Sequence, residues 1–384
     1  MTDLLIINAL IYTEKRHFLG WLHSKNGKIH ALGWGNPPTN IEKTIDAEGK
    51  SLLPGFIDTH VHGAVGHDTM DGSVEGLQAM ADFFVTRGVT AFTPTTLTSS
   101  HDQILSALDS IQQAMTQPST GSSIVGTHLE GPYLNVEKCG AQNPDYVRLC
   151  DSVEAQAYFD SGVLRIVSLA PEFTENHWLI EQCNHAGVTA SMAHTTATYE
   201  QAITAIDLGM SQSTHTYNAM TGLHHRNLGV VGAVLGDERV TCELIADNIH
   251  VHQGAMKALW QAKGAKGITL ISDAMRACGM PDGEYKLDDL TAYVKDGRAS
   301  LADGTLAGSV LTMDVAIKNF MDATGTALQD ILPTFSLNPA RAIGLSHRKG
   351  SITQGKDADL VLVDSDFTVL KTIVEGKIVF ESNI

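Results

Sequence analysis

Cysteine is scarce, and what there is does not pair by spacing: Cys139, Cys150, Cys183, Cys242 and Cys278 are odd in number, scattered, and form no C-x-x-C. That argues against a disulfide framework and fits reduced thiols in a cytoplasmic protein. Long apolar runs are missing too. None approaches the ~18 residues that a membrane helix needs, so no membrane partner is expected. The opening MTDLLIINALIYTEKR has no basic stretch before its short apolar run and no small-residue cleavage site, so it reads as a strand, not a secretion signal. Positive charge is in deficit, with 26 Lys+Arg against 43 Asp+Glu and a formal net charge of -17. Such a surface repels nucleic acid and anionic membranes overall. A small phosphorylated ligand stays compatible with it, because a local cluster of donors binds an anion even inside an acidic protein.

What the chain does have is a recurring unit. Eight short β-rich runs, each ending in a polar or glycine-rich turn, stand at 56–63, 88–96, 123–132, 164–172, 187–196, 213–220, 240–250 and 267–275. Helix-spaced segments lie between them, such as HDQILSALDSIQQAM, where Ile104, Leu105, Leu108, Ile111 and Met115 recur every three to four residues. Gly88, Gly187 and Gly209 stand where such segments need a left-handed cap. Eight strand and helix units in 384 residues predict an α/β fold, a (β/α)8 TIM barrel over 54–345. The flanks, 1–53 and 346–384, instead alternate short strand-like runs with turns, and neither is long enough to bury a core alone. They are expected to pair into one small discontinuous β-sandwich domain against the barrel.

Functional side chains of such a barrel gather at the C-terminal ends of its strands. Here those ends carry His60 and His62 (LPGFIDTHVHG), Glu130, His194, His215 and Asp273. Strand side chains alternate, so residues two apart point the same way and both imidazoles of the His-x-His pair face the barrel mouth. Neutral imidazole nitrogen and carboxylate oxygen suit zinc or ferrous iron. The expected chemistry is hydrolysis of a C–N bond, with Asp273 carrying a proton from water to the departing amine, or serving only as a ligand. His128, two residues before Glu130, reads equally as a donor behind the ligands or as core. Cys139 reads as a loop residue. In HTYNAMTGLHHRNLG, Arg226 beside His224 and His225 is suited to an anion, and His250 ends the seventh strand.

PGFIDTHVHG, HLEGPYLN, MAHTTAT, HTYNAMTGLHHR, LIADNIHVH, LISDAM, DGTLAGS and GSITQGKDADLVLVD resemble, in order and spacing along essentially the whole chain, the N-acetylglucosamine-6-phosphate deacetylases of the amidohydrolase superfamily. The resemblance implies a cytoplasmic enzyme of amino-sugar catabolism that releases acetate from a 6-phosphorylated N-acetylhexosamine. It makes Glu130, His194 and His215 the principal metal ligands, with His60 and His62 completing a second position, one or two divalent ions per subunit, and Asp273 the general base and acid. It assigns substrate contacts to Ala141, Gln142, Asn218, Ala219, Arg226, Asp247, His250 and Leu306. It also implies a homodimer in which Arg226 and His250 reach the neighbouring site. Gln142 departs from the pattern, standing where relatives often carry a histidine that contacts the acetamido group. Other readings are the galacto epimer as substrate, a cyclic amide hydrolase, and a non-catalytic scaffold. Many cyclic amide hydrolases bridge two metals with a modified lysine after the fourth strand, and LRIVSLAPE has none. A scaffold typically loses ligands, and none is missing here.

Overall fold

The computed structural model describes residues 3–118, 120–287 and 290–382. All eight β-rich runs become parallel barrel strands: Phe56–Val61, Val89–Pro94, Thr127–Glu130 (preceded by Ser123–Ile124), Leu164–Leu169, Thr189–Met192, Gln212–Ser213, Thr241–Ile245 and Ile268–Ile271. Regular ladders join them in chain order, with a break on either side of the first two. Single parallel bridges, Thr95 to His128 and Val61 to Ala274, close the ring at those two breaks. Every residue of the first strand is buried, as a barrel strand packed on both faces requires.

The intervening helices follow from their sequences. His101–Thr116 starts at Ser100, whose side chain accepts the Gln103 N–H, and it buries Ile104, Ala107, Leu108, Ile111 and Ala114. Met115 lies off that face at 36% exposure, because the buried stripe passes through Ala114 instead. Gly88, Gly187 and Gly209 have φ of 80°, 67° and 108°, the left-handed geometry expected of them.

The two chain ends meet in one eight-stranded sheet. Its first strand, Asp3–Tyr12, shifts register between Ile6 and Ala9, and pairs with Lys43–Asp46 before that shift and with Ser51–Pro54 after it. The sheet bends there and folds over its own core of Leu4, Ile6, Ile11, Leu22, Leu360 and Ile373. Val361, Val363 and Phe367 turn the other way, into the barrel's core, where Phe56 packs edge-on to Phe335 and stacks on Phe367.

One element was not expected. Between the eighth strand and the helix Met313–Thr324, a small antiparallel sheet of Gly283–Leu287, Leu290–Lys295 and Arg298–Ser300 rises beside the barrel mouth. The polar alternation of this stretch hid it, although Asp296-Gly297 is a hairpin-turn signal that was legible.

Candidate metal centre and substrate cavity

Barrel closure itself assembles the site. The Asp273 N–H donates to the His60 carbonyl and the His62 N–H to the Ala274 carbonyl, so the eighth strand end is stitched beside the first. His194, His215 and Asp273 each sit two residues past their strand with φ of 43°, 29° and 50°. Non-glycine residues avoid this region at a cost of about 1–3 kcal/mol each, so the surrounding fold holds these three side chains against local preference.

Six side chains converge in two trios. His60, His62 and Asp273 form one, and Glu130, His194 and His215 the other, all buried. In the first, His60 Nε2 is 3.4 Å from His62 Nε2, and Asp273 Oδ1 is 3.5 Å and 3.3 Å from the same two nitrogens. In the second, His194 Nε2 and His215 Nε2 are 3.1 Å apart and lie 3.3 Å and 3.1 Å from Glu130 Oε1. The other oxygen, Glu130 Oε2, is 3.3 Å from His62 Nε2, so this one carboxylate spans both trios. Tetrahedral ligands at ~2.0–2.2 Å from an ion stand about 3.4 Å apart, which is the spacing found here.

The far ring nitrogens decide what the near ones offer. Nδ1 of His62 faces the Thr95 carbonyl at 3.2 Å, Nδ1 of His194 the Lys138 carbonyl at 2.7 Å, and Nδ1 of His60 the carboxylate of Glu243 at 3.1 Å. Each partner is an acceptor, so each Nδ1 carries the proton and each Nε2 turns a lone pair inward. Lone pairs facing one another at such distances repel unless a cation lies between them, and the donor set therefore fits divalent metal. Charge agrees. Burial opposes a charged imidazole at His60, yet Glu130 and Asp273 raise its pKa well above the usual range, so this point takes positive charge, either as a proton on Nε2 or as a cation facing its lone pair. Burial likewise favours a neutral Asp273, but the His60 and His62 rings pull its carboxyl down to about 2. A centre that draws positive charge this strongly through its carboxylates is built for a cation.

His128 proves to be neither ligand nor filler. Its Nδ1 meets the Thr59 carbonyl at 3.1 Å, its Nε2 meets Ser168 Oγ at 2.6 Å, and its ring lies 4.5 Å from that of His60. Burial first, then the neighbouring His60, keep it neutral, well below its ordinary pKa.

Above the trios opens a cavity of about 390 Å³ whose wall includes His62, Glu130, His194, His215 and Asp273. Of the expected substrate contacts, Ala141, Gln142, Asn218, Ala219, His250 and Leu306 line it. Asp247 stands behind the wall, taking the His250 and Ile249 N–H groups on Oδ1 and His250 Nδ1 on Oδ2 at 2.6 Å. Burial works against its charge, but the His250 bonds hold its carboxyl below the usual value. His250 thus lines its own chain's cavity, held there by Asp247. Arg226 is exposed, bonded to His225 and absent from this wall.

Gln142 also differs from expectation. Its Nε2 donates to Glu130 Oε2 at 2.7 Å and its Oε1 accepts the Thr98 N–H at 2.7 Å, with the residue 4% exposed. One N–H of the amide fixes the spanning carboxylate, and the second N–H is left for a contact in the cavity that Gln142 lines. Sequence reasoning missed Lys138, the sole lysine or arginine among the described residues of the wall, and Leu287 of the unexpected antiparallel sheet. Thr305 and Gly308 lay in the DGTLAGS motif and were within reach of it. Cys139 is not part of the wall.

The comparisons agree with this geometry. The Amidohydrolase family matches residues 51–379. The chain is 39% identical over 387 residues to the N-acetylglucosamine-6-phosphate deacetylase of Bacillus subtilis (strain 168), covering 99% of this chain and 98% of that one. It is 37% identical over 385 residues to the N-acetylgalactosamine-6-phosphate deacetylase of Escherichia coli O157:H7, covering 98% and 99%. A solved mutant of the Mycobacterium smegmatis N-acetyl-D-glucosamine-6-phosphate deacetylase, in complex with N-acetyl-D-glucosamine-6-phosphate, superposes with a TM-score of 0.93 at 31% identity, covering 99% of this chain and 100% of that chain. With its ligand trios, its barrel and this similarity along nearly its whole length, the chain belongs to the amidohydrolase family and, within it, to the N-acetylglucosamine-6-phosphate deacetylases.

Proposed function

We propose that this hydrolase removes the acetyl group of N-acetyl-D-glucosamine 6-phosphate, giving D-glucosamine 6-phosphate and acetate in the cytoplasm. The observation that carries the reading is the pair of ligand trios joined by Glu130 under a cavity that Asp273 lines. His60, His62 and Asp273 would hold one divalent ion, zinc or ferrous iron, and Glu130, His194 and His215 a second. When bound, the ions polarise the acetamido carbonyl and lower the pKa of water.

The chain's own groups do the rest. Asp273, in the cavity wall and ionised, takes a proton from the attacking water and returns it to the amine nitrogen as the C–N bond breaks. The turn carrying Asn218 and Ala219 has φ of 84° at Tyr217 and 52° at Ala219, and it presents both residues to the sugar. His250, steadied by Asp247, and Lys138 flank the phosphate. Arg226, exposed and outside its own cavity, serves the site of a second copy in a homodimer. Exposed Leu223 and Leu228, on the same segment, support that contact, because the core of such interfaces is more apolar than the rest of the surface.

The relative acting on the galacto epimer supports a second reading, since its identity of 37% is close to the 39% of the gluco enzyme. Acetate release from both 6-phosphorylated epimers, and from their unphosphorylated forms, tests the assignment. Turnover is expected with N-acetylglucosamine 6-phosphate foremost. Faster turnover of the galacto compound would favour the second reading, and no acetate from any of the four would refute both.

A further inference from the structure

Glu243 lies on the seventh barrel strand beneath the metal centre, 0% exposed, and no sequence motif singled it out. Its Oε2 faces His60 Nδ1 at 3.1 Å and accepts the His215 N–H at 3.4 Å, while Oε1 accepts Gln212 Nε2 at 2.7 Å. No lysine or arginine is paired with it among the described residues. A carboxylate stripped of water with no lysine or arginine to face it is costly. A glutamine there offers the His60 ring the same acceptor more cheaply, so packing and hydrogen bonding do not explain the charge.

We infer that Glu243 is a positioning residue: its carboxylate fixes the ring and the tautomer of His60, and its charge makes His60 Nε2 a stronger donor toward a cation shared with His62 and Asp273. The inference rests on the two-cation reading of the site. Of the three ligand imidazoles whose Nδ1 has a partner, only His60 faces a carboxylate, while His62 and His194 face neutral carbonyls. The two trios are therefore unequal by construction. Glu243 also reaches the backbone of His215, but only through its N–H, which sets position without changing the ring's basicity.

Zinc titration of the full-length, chelator-stripped protein against a chromophoric chelator tests this, alongside Glu243→Gln and Glu243→Leu. Glu243→Gln keeps an acceptor for His60, and the Gln212 amide can turn its presently unpartnered Oε1 toward the new side chain, so this variant is expected to fold. Wild type is expected to bind two ions. Glu243→Leu should lose ~10–100-fold in affinity at one site and leave the other unchanged, the usual size of an effect behind a ligand histidine. Glu243→Gln should fall between, and its kcat should drop more than its KM rises. Equal affinities at both sites in wild type and Glu243→Gln would overturn the role given to the charge, as would equal loss at both sites. If Glu243→Leu does not fold, the glutamine variant alone decides. Fewer than two ions bound by wild type would refute the two-cation reading itself, and this inference with it.

Discussion

Gln142 and Asp273 both line the cavity, yet they act on different quantities. Removing the Gln142 amide leaves Glu130 Oε2 and the Thr98 N–H without their partner, so Gln142→Ala is expected to weaken metal binding by ~10–100-fold and to lower kcat. A raised KM with unchanged metal affinity would instead mark it as a substrate donor. Asp273→Asn removes the proton carrier while keeping one oxygen toward His60 and His62. It should retain metal by elemental analysis and lose ~10²–10⁴-fold in kcat, and near-normal turnover would remove the assigned role. Ligand residues were legible because each stands at a strand end and His60 and His62 differ by the strand period of two. Glu243, and the bond of Gln142 to Glu130, were not, because their partners lie 183 and 12 residues away and only the closed barrel shows that they touch.

Among the elements, the segment from Thr221 to Leu228 carries its histidines and arginine outward, and Arg226 finds no place in its own cavity. If it works across a dimer, a mixture of Arg226→Ala and Asp273→Asn chains places one intact site in each mixed dimer. After unfolding and refolding together, about a quarter of wild-type activity should return, from two parents that are each poorly active. No recovery above the mean of the parents would rule out action in trans. The barrel strands were legible from their β-rich runs, and so was the pairing of the chain ends. The bend of their sheet was not, since the shift between Ile6 and Ala9 depends on which partner strand lies on each side of it.

For the whole molecule, stability and catalysis can be separated. Lys349 is buried far along the chain from the ligands, with Nζ 2.6 Å from Asp359 and 3.2 Å from Asp357. Burial alone would discharge it, but the two carboxylates keep its pKa above the ordinary lysine value. Lys349→Met strands Asp359 without its cation and is expected to cost about 3–5 kcal/mol in denaturant unfolding. kcat/KM of the folded fraction should be unchanged, and a fall in it would mean that the network reaches the metal centre. The net charge of -17 set the class of ligand only by exclusion. Lys138 and His250 line the cavity as the local groups that the proposed phosphate would meet, and the sum over a surface does not reveal these.

The strand Ser51–Pro54 hydrogen-bonds to Leu360–Val363, which lies far downstream in the chain and is therefore translated well after it. Until then its edge has no neighbour on that side. A nascent or truncated chain therefore offers an open, apolar template for intermolecular pairing, so loss of Leu360–Val363 and the strands after it should produce insoluble material rather than a smaller working enzyme.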